Sequence, residues 1–222
     1  MSDQLVPLRL PPVVPGRRIV GYSAVLLPHT DTAEVDWDGF ESLLGRTLGA
    51  GLIPAVNMDT GYVQLLPEPD RARVLATAAS LAGPGGFAAG AFVPDTQGDA
   101  YDHDAYARAM AEVSEAGGTP VLFPSWGLAA LDEAEWVAAQ ERLGSGVDRF
   151  IAFELGDMFV PYGRIYSLDA YRGLMGIPSC IGAKHSSLSR QAEWARLALR
   201  NEVRSDFSVF TGNDLAIDMV CY

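Results

Sequence analysis

The sequence predicts an α/β fold in which parallel strands, each followed by a helix, form a (β/α)₈ barrel. Seven short apolar runs rich in strand-forming residues alternate with amphipathic helical patterns along the 222 residues. The alternating unit recurs about every thirty residues, which is the spacing that eight units in a barrel of about 250 residues require. A chain of this length can bury a substantial core in one domain.

The predicted strands are short runs in which aliphatic, β-branched and aromatic residues dominate. Several of them end in a proline or a polar side chain, as at Asn57, Pro124 and Lys184. Strands that alternate with helices pair in parallel, with the helices covering the sheet. We predict strands at residues 18–27, 52–57, 87–93, 120–124, 150–154, 180–184 and 207–212.

The intervening segments repeat apolar residues at helical spacing. In the first of them Trp37, Phe40, Leu44 and Leu48 fall on one face, and glycines at 49 and 51 close the helix. Asp and Ser near the starts of later segments are suitable N-caps. We predict these later helices at residues 70–81, 104–116, 132–143, 168–175 and 189–203.

A doubly wound sheet is the competing architecture. Such sheets usually carry a glycine-rich phosphate turn after the first strand, and here that turn reads Leu-Pro-His-Thr at residues 27–30. The glycine cluster at residues 83–86 precedes a strand, so it is a loop and does not match a phosphate-binding turn. These two observations favour the barrel.

The domain organisation follows from the strand count. Residues 1–16 are proline-rich and are expected to form an N-terminal arm, while residues 17–222 form one barrel domain. Seven strands are visible where a closed barrel needs eight, and an open barrel would expose strand edges. We therefore expect that the eighth unit is missing from this chain through truncation at its C-terminus or through loss.

Charge and composition exclude several classes of function. The net charge is −12 and the isoelectric point is near 4.5, which argues against nucleic acid or an anionic membrane as partner. No signal sequence and no bilayer-spanning apolar run is apparent. Two cysteines make no disulfide framework, so we expect a cytoplasmic protein. The acidic turn around Asp99 lacks calcium-loop spacing, and we expect no metal and no cofactor.

Lys184 is the most informative residue because it is the only lysine in the chain; the other 15 of the 16 basic residues are arginines. Arginine cannot replace lysine where a neutral amine must act as nucleophile, because guanidinium does not deprotonate. Lys184 ends the sixth predicted strand, which is the position that a Schiff-base lysine needs. A solvated surface charge is the alternative interpretation.

Other polar residues follow the predicted strands and would converge at the C-terminal mouth of a barrel. They come from different loops and provide candidates for acid–base chemistry and for substrate contacts. In chain order they are His29, Asn57, Asp59, Thr60, Gly61, Asp95, Ser125, Trp126, Glu154, Arg164, Lys184, Asn213 and Asp214.

Short motifs along most of the chain occur in a distinctive order. They are a proline turn at 27–29, an acidic residue before the first helix at 35–36, Asp-Thr-Gly-Tyr at 59–62, Leu-x-x-x-x-Arg at 66–71, Gly-Ala-Lys-His-Ser at 182–186 and Gly-Asn-Asp at 212–214. In this order and spacing the chain resembles the dihydrodipicolinate synthase and N-acetylneuraminate lyase superfamily of class I aldolases, which are TIM barrels.

The resemblance implies roles for several residues. Lys184 would form the Schiff base, while Thr60 and Gly61 would contact a substrate carboxylate or carbonyl. Arg164 resembles the family arginine that grips a second carboxylate, and a bidentate fork suits that task. Gly212 belongs to the glycine motif that ends the seventh strand. Relatives are commonly dimers or tetramers, so the resemblance also implies a homo-oligomer.

The sequence departs from the family at the residues that move protons. Asp59 replaces a threonine of the second-strand turn, and a carboxylate there would repel a keto-acid carboxylate. The family tyrosines are also replaced, with Trp126 in the fourth-strand position and Phe153, Glu154 or Phe159 in the fifth. We expect Glu154 or Asp59 to act as general acid and base instead.

The sequence therefore predicts a class I lyase or aldolase that acts on a small carbonyl compound such as a 2-keto acid. Lys184, Glu154 and Asp59 are the expected catalytic residues, and Thr60, Gly61, Arg164, Trp126 and Gly212 the expected substrate contacts. A hydratase or dehydratase using the same lysine is one alternative. A non-catalytic metabolite-binding barrel is the other, because fold alone does not establish activity.

Overall fold

The computed structural model describes residues 12–212 and 214–222. Most of the predicted N-terminal arm, and Asn213 of the glycine motif, lie outside the described residues. Seven parallel strands form one sheet in the order β1 to β7, so each strand pairs with its neighbours in sequence. Their bounds are β1 Tyr22–Ala24, β2 Ile53–Val56, β3 Ala88–Ala91, β4 Thr119–Leu122, β5 Phe150–Leu155, β6 Cys180–Ser186 and β7 Ser208–Thr211.

Helices follow the strands, and all of them except the short α4 were predicted from the sequence. They are α1 Trp37–Gly49, α2 Glu68–Ala82, α3 His103–Glu115, α4 Trp126–Ala130, α5 Glu133–Gly144, α6 Leu168–Met175 and α7 Arg190–Val203. The predicted caps are present: Asp102, Ser167 and Ser189 each accept a hydrogen bond from a backbone amide of the first turn. Two 3₁₀ turns, Asp59–Gly61 and Val63–Leu65, follow β2, and a 3₁₀ segment spans Asp214–Cys221.

The sheet is strongly curled, as a barrel requires. Tyr22 in β1 and Phe210 in β7 lie at opposite edges of the sheet, yet their ring centroids are 5.1 Å apart in an edge-on contact. In a flat sheet six steps of about 4.8 Å would separate these strands by roughly 29 Å. The strands therefore curve round one interior, and the described residues form seven consecutive units of a barrel-like fold.

Strand β1 is much shorter than the predicted run of residues 18–27. Ile19 and Val20 are 60% and 58% exposed and lie before the strand begins. In the described parts of the chain β1 pairs only with β2, through residues 22–24. The aliphatic residues of this run favour a strand, but a strand requires a hydrogen-bonded neighbour. Here β2 pairs with only three residues of the run.

Two apolar layers lie on opposite faces of the sheet. The layer inside the curl contains Ile151, Phe153 and Leu155 of β5, with Val121 and Phe123 from β4 and its end. The outer layer, between sheet and helices, contains Phe150 and Ala152 of the same strand. This alternation decides which side chains can reach the mouth of the barrel. No helix within the described ranges is long and apolar enough to cross a membrane.

Candidate active site

Lys184 lies on the inner face of β6, near the C-terminal end of the strand. Its backbone is in register with Phe153 of β5 and Phe210 of β7, whose side chains also face inward. The Nζ atom lies 4.2 Å from the centroid of the Phe153 ring, a distance at which a cation is attracted to the ring face. The side chain is 19% exposed, so the amine is largely sheltered yet open to the mouth.

Asp59 is the ionic partner of Lys184. It begins the 3₁₀ turn after β2, and its Oδ1 lies 3.2 Å from Nζ, although the residues are 125 positions apart in sequence. The Asp59 side chain is 34% exposed, which places this pair at the boundary between the apolar interior and the solvent. The structure therefore brings together two of the three residues predicted to be catalytic.

Two glycines lie near this pair. A Cβ on Gly212 would lie 3.7 Å from the Cε atom of Lys184, so the glycine borders the lysine stem at the end of β7. A Cβ on Gly61 would lie 3.4 Å from the carbonyl oxygen of Val25, which shows that the turn after β2 packs against the chain leaving β1. Thr60, between Asp59 and Gly61, is exposed. Of the predicted substrate contacts, Gly212 thus lies beside Lys184, and Thr60 and Gly61 share the turn of Asp59.

Glu154, the third predicted catalytic residue, is on the other side of the sheet from Lys184. Phe153 faces inward in register with Lys184, so the next residue of β5 faces the helices. Glu154 is 0% exposed and lies in register with His185. The structure does not bring its carboxylate to the mouth, and strand alternation is the physical reason.

Glu154 is the centre of a buried polar cluster. Both its oxygens accept hydrogen bonds from the Arg196 guanidinium of α7, at 2.6 and 2.7 Å. His185 Nδ1 lies 3.0 Å from Oε2, and the backbone N–H of Tyr166 donates to Oε1 at 3.0 Å. Because an ionised carboxylate only accepts, His185 Nδ1 carries the hydrogen. His185 Nε2 lies 2.8 Å from the Ser187 hydroxyl.

This cluster changes the acidity of its carboxyl group. Burial alone would raise the pKa of Glu154, but hydrogen bonds and charge from Arg196 and His185 outweigh burial and hold the pKa below its usual range. The carboxylate therefore stays ionised and tied to β6 and α7. Sequence reasoning missed Arg196, because an arginine within an amphipathic helix gives no local sign that it is buried.

Arg164 is also engaged in structural contacts. Its Nη1 donates to the carbonyl oxygens of Ala129, the second-to-last residue of α4, and of Leu131, the residue after the helix, at 3.2 and 2.6 Å. Its guanidinium stands 4.8 Å from the Tyr166 ring centroid and 4.0 Å from Glu133. These contacts occupy the fork that the sequence assigns to a substrate carboxylate.

We expect Arg164→Met to lower stability rather than to disturb binding of a carbonyl substrate. Loss of the charged donors leaves two carbonyl groups at the end of α4 without their partner, at an expected cost of about 1 to 2 kcal/mol. Urea unfolding measures this loss, with the exposed Arg108→Met as the matched control. A variant of unchanged stability would contradict the structural role.

Trp126 is placed by an acidic residue from a neighbouring loop. The two carboxylate oxygens of Asp95 accept the backbone N–H groups of Trp126 and Gly127 at 2.9 and 2.8 Å, at the start of α4. The Trp126 ring lies 5.3 Å from the ring of Tyr162. Burial, with a smaller contribution from Asp95, raises the pKa of the Tyr162 phenol. Tyr162 is a tyrosine of the loop after β5 that sequence reasoning did not select.

Metal-binding clusters are absent from the described residues, where no group of three or more His, Cys, Asp or Glu side chains is arranged to hold an ion. The groups found at the mouth are an amine, a carboxylate and small turn residues. An amine and a carboxylate in contact provide a nucleophile and a group that can exchange protons with it.

Comparison with known proteins shows the fold. A dihydrodipicolinate synthase from Thermotoga maritima superimposes with a TM-score of 0.73 at 16% identity, covering 90% of this chain and 65% of that one. A prophage protein of the dihydrodipicolinic acid synthase family from E. coli K12, solved with pyruvate, gives 0.75 at 14% identity with the same coverages. The 2-keto 3-deoxygluconate aldolase from Picrophilus torridus gives 0.68 at 15% identity, covering 87% and 66%.

These comparisons confirm the barrel-like α/β fold that the sequence predicts. The chain spans 65% or 66% of the length of these three structures. No protein-family model and no curated protein matches the chain.

Proposed function

We propose that this protein is a Schiff-base lyase or aldolase that acts on a small carbonyl compound, and a divergent relative of the dihydrodipicolinate synthases. The observation that carries the proposal is the only lysine of the chain, on the inner face of β6 with its amine 3.2 Å from Asp59. We also propose that the protein has the architecture of a closed (β/α)₈ barrel, of which the described residues form seven units.

The first step is formation of an imine. The Asp59 carboxylate takes a proton from the Lys184 ammonium, and the free amine attacks the carbonyl carbon, forming a C–N bond while the C=O electron pair moves to oxygen. Protonated Asp59 returns its proton to that oxygen, which leaves as water after a second proton transfer from nitrogen. The product is an iminium ion that withdraws electrons from the adjacent carbon.

The second step makes or breaks a carbon–carbon bond. In the direction of synthesis the carbon next to the iminium loses a proton to Asp59, and the electron pair becomes a C=C bond as the C=N pair moves to nitrogen. This enamine attacks an acceptor aldehyde, whose oxygen takes the proton. Water then adds to the new iminium and releases the product and the amine. Cleavage is the same sequence in reverse.

Asp59 is the acid and base in this proposal because it touches the amine, whereas Glu154 lies behind the sheet with Arg196. Thr60 and Gly61, in the same turn as Asp59, are proposed to orient the carbonyl compound. Gly212 borders the lysine stem at the end of β7. All the groups given a role beside Lys184 lie in the turn after β2 or at the end of β7.

Borohydride trapping tests the proposal. Reduction of an imine by sodium borohydride leaves a stable secondary amine, detected by intact mass and located by peptide mapping. We expect a panel of keto acids, aldehydes and ketones to give at least one adduct at Lys184, with the amino terminus as the internal control for unspecific reaction. A folded protein that forms no adduct with any of these carbonyls would contradict the proposal and favour a metabolite-binding barrel. Once trapping has identified a compound that binds, product analysis with that compound in the absence of borohydride separates a lyase from a hydratase or dehydratase.

A further inference from the structure

We propose that Asp59 makes this site select a carbonyl compound with a neutral hydroxyl group, a hydroxyketone or hydroxyaldehyde, over a 2-keto acid of the same size. This inference rests on the proposed function, since it concerns the compound that Lys184 attacks. It is carried by the position of the carboxylate relative to the amine, 3.2 Å from Nζ to Oδ1.

Covalent geometry limits how far a substrate group can be from Asp59. Once the imine forms, the carbonyl carbon is bonded to Nζ, and each substituent of that carbon lies two bonds away, at about 2.5 Å. A substituent of this kind therefore stays within roughly 6 Å of Asp59 Oδ1 in any orientation of the imine, provided that the lysine keeps its present position. The α-carboxylate of a 2-keto acid is such a substituent.

The described residues offer this second carboxylate little compensating charge. Among them the Asp59 carboxylate has an ion pair only with Lys184. The arginine that the sequence suggests for a carboxylate, Arg164, donates to the carbonyl groups at the end of α4. Two carboxylates within roughly 6 Å, with one iminium charge between them, repel each other, and the apolar interior beneath the pair weakens solvent screening.

A substrate with a hydroxyl group in place of that carboxylate is attracted to Asp59 instead of repelled by it. A carboxylate has about four acceptor positions on its two oxygens, and Lys184 uses one of them. The hydroxyl can donate to another, in a hydrogen bond strengthened by the charge of the acceptor. The same Asp59 that repels a keto acid therefore binds a hydroxyketone, so one residue accounts for both sides of the selectivity.

Hydroxyacetone and pyruvate are the matched probes, because they differ only in a CH₂OH group against a carboxylate beside the same methyl ketone. The rate of trapping by borohydride at Lys184 is measured for each and divided by its rate with the side-chain amine of N-acetyl-lysine. This correction removes the intrinsic reactivity of the two carbonyls. In the wild type we expect hydroxyacetone to be favoured by at least about tenfold, the effect of one like-charge contact in a partly exposed site.

The Asp59→Asn variant removes the charge and keeps the shape. We expect the corrected preference for hydroxyacetone to fall at least about fivefold, because loss of the acid and base slows trapping of both probes while only pyruvate is relieved of the repulsion. We expect Asp59→Ser to do the same. Raising the salt concentration from about 0.05 to about 0.5 M should weaken the wild-type preference and leave that of Asp59→Asn unchanged. Circular dichroism establishes that each variant is folded.

Three results would overturn the inference. The wild type traps pyruvate as readily as hydroxyacetone after correction, or the preference is the same with Asp59 and Asn, or the folded wild type traps neither probe. The last result counts against the proposed function as well only if no other carbonyl of the panel forms an adduct at Lys184, whereas the first two leave a Schiff-base enzyme whose selectivity has another origin.

Discussion

Replacing Lys184 by arginine will abolish imine trapping and reduce any turnover by about 10³-fold or more. Arginine keeps the positive charge that faces Asp59 and the ring of Phe153. It cannot supply the neutral amine that attacks a carbonyl, because guanidinium does not deprotonate in this pH range. The substitution therefore removes the nucleophile while preserving much of the electrostatic environment.

The matched control relocates the amine. Arg172 is on α6 with its side chain 48% exposed and 3.5 Å from Glu202. Arg172→Lys therefore gives the chain a second lysine beside a carboxylate, on the exposed surface instead of in a sheltered mouth. In the double variant with Lys184→Arg we expect only the slow background reaction of a surface amine. Equal trapping at position 172 and at position 184 would mean that the site adds nothing to the reactivity of a lysine.

Glu154→Gln is expected to be the most destabilising of these substitutions, at about 3 to 5 kcal/mol, because it leaves the Arg196 guanidinium buried without a counter-charge. Arg196 is 3% exposed and makes two short contacts to Glu154. Urea unfolding measures the loss, and Glu141→Gln on the exposed side of α5 is the control, with an expected change of about 0.5 kcal/mol or less. A loss of less than about 1 kcal/mol for Glu154→Gln would contradict the account of the cluster.

The same carboxylate predicts how stability depends on pH. The folded-state pKa of Glu154 lies below its ordinary value of 4.5, so the unfolded chain takes up the proton first as pH falls. The stabilisation is complete well above pH 4.5 and is lost as pH falls through the folded-state value. We expect the difference in unfolding free energy between wild type and Glu154→Gln to shrink from pH 7 to about pH 3. A difference that does not change over this interval would contradict the prediction.

Glu154→Gln also distinguishes the two carboxylates that the sequence suggests for proton transfer. At temperatures where it is folded, we expect the variant to trap hydroxyacetone at Lys184 with a rate within about threefold of the wild type, because the side chain is on the far side of the sheet. A much slower reaction would show that the cluster positions Lys184 through the adjoining His185.

Secondary structure was largely predictable because its signals are local. The period of apolar residues and the capping side chains place α6 at residues 168–175 in both the sequence and the structure. Helix α4 was not predicted. It has five residues, and its first amides are bound by Asp95, which is about thirty residues earlier in the chain. The Ser125 side chain caps the helix locally by accepting from the N–H of Leu128, but no local pattern encodes the contacts of Asp95.

The site was predictable in part. Alternation along β6 turns Lys184 inward and His185 outward, and the sequence alone supports that distinction. The same rule applied to β5 depends on the register, which decides that Phe153 and not Glu154 shares the face of Lys184. A shift of the register by one residue would have turned Glu154 inward and Phe153 outward. Which of the two faces inward could therefore not be predicted from the sequence of β5 alone.

The sequence by itself determined the alternation of strands and helices, the single lysine near the end of β6 and the acidic turn after β2. Only the tertiary structure decided that Asp59 meets Lys184, and that Arg164 and Glu154 are bound elsewhere. The physical reason is that helices and strands follow from interactions between near neighbours in the chain. A contact between residues 125 positions apart depends on the curl and the register of the whole sheet. All the strands together set these two properties, so no single segment of the sequence reveals them.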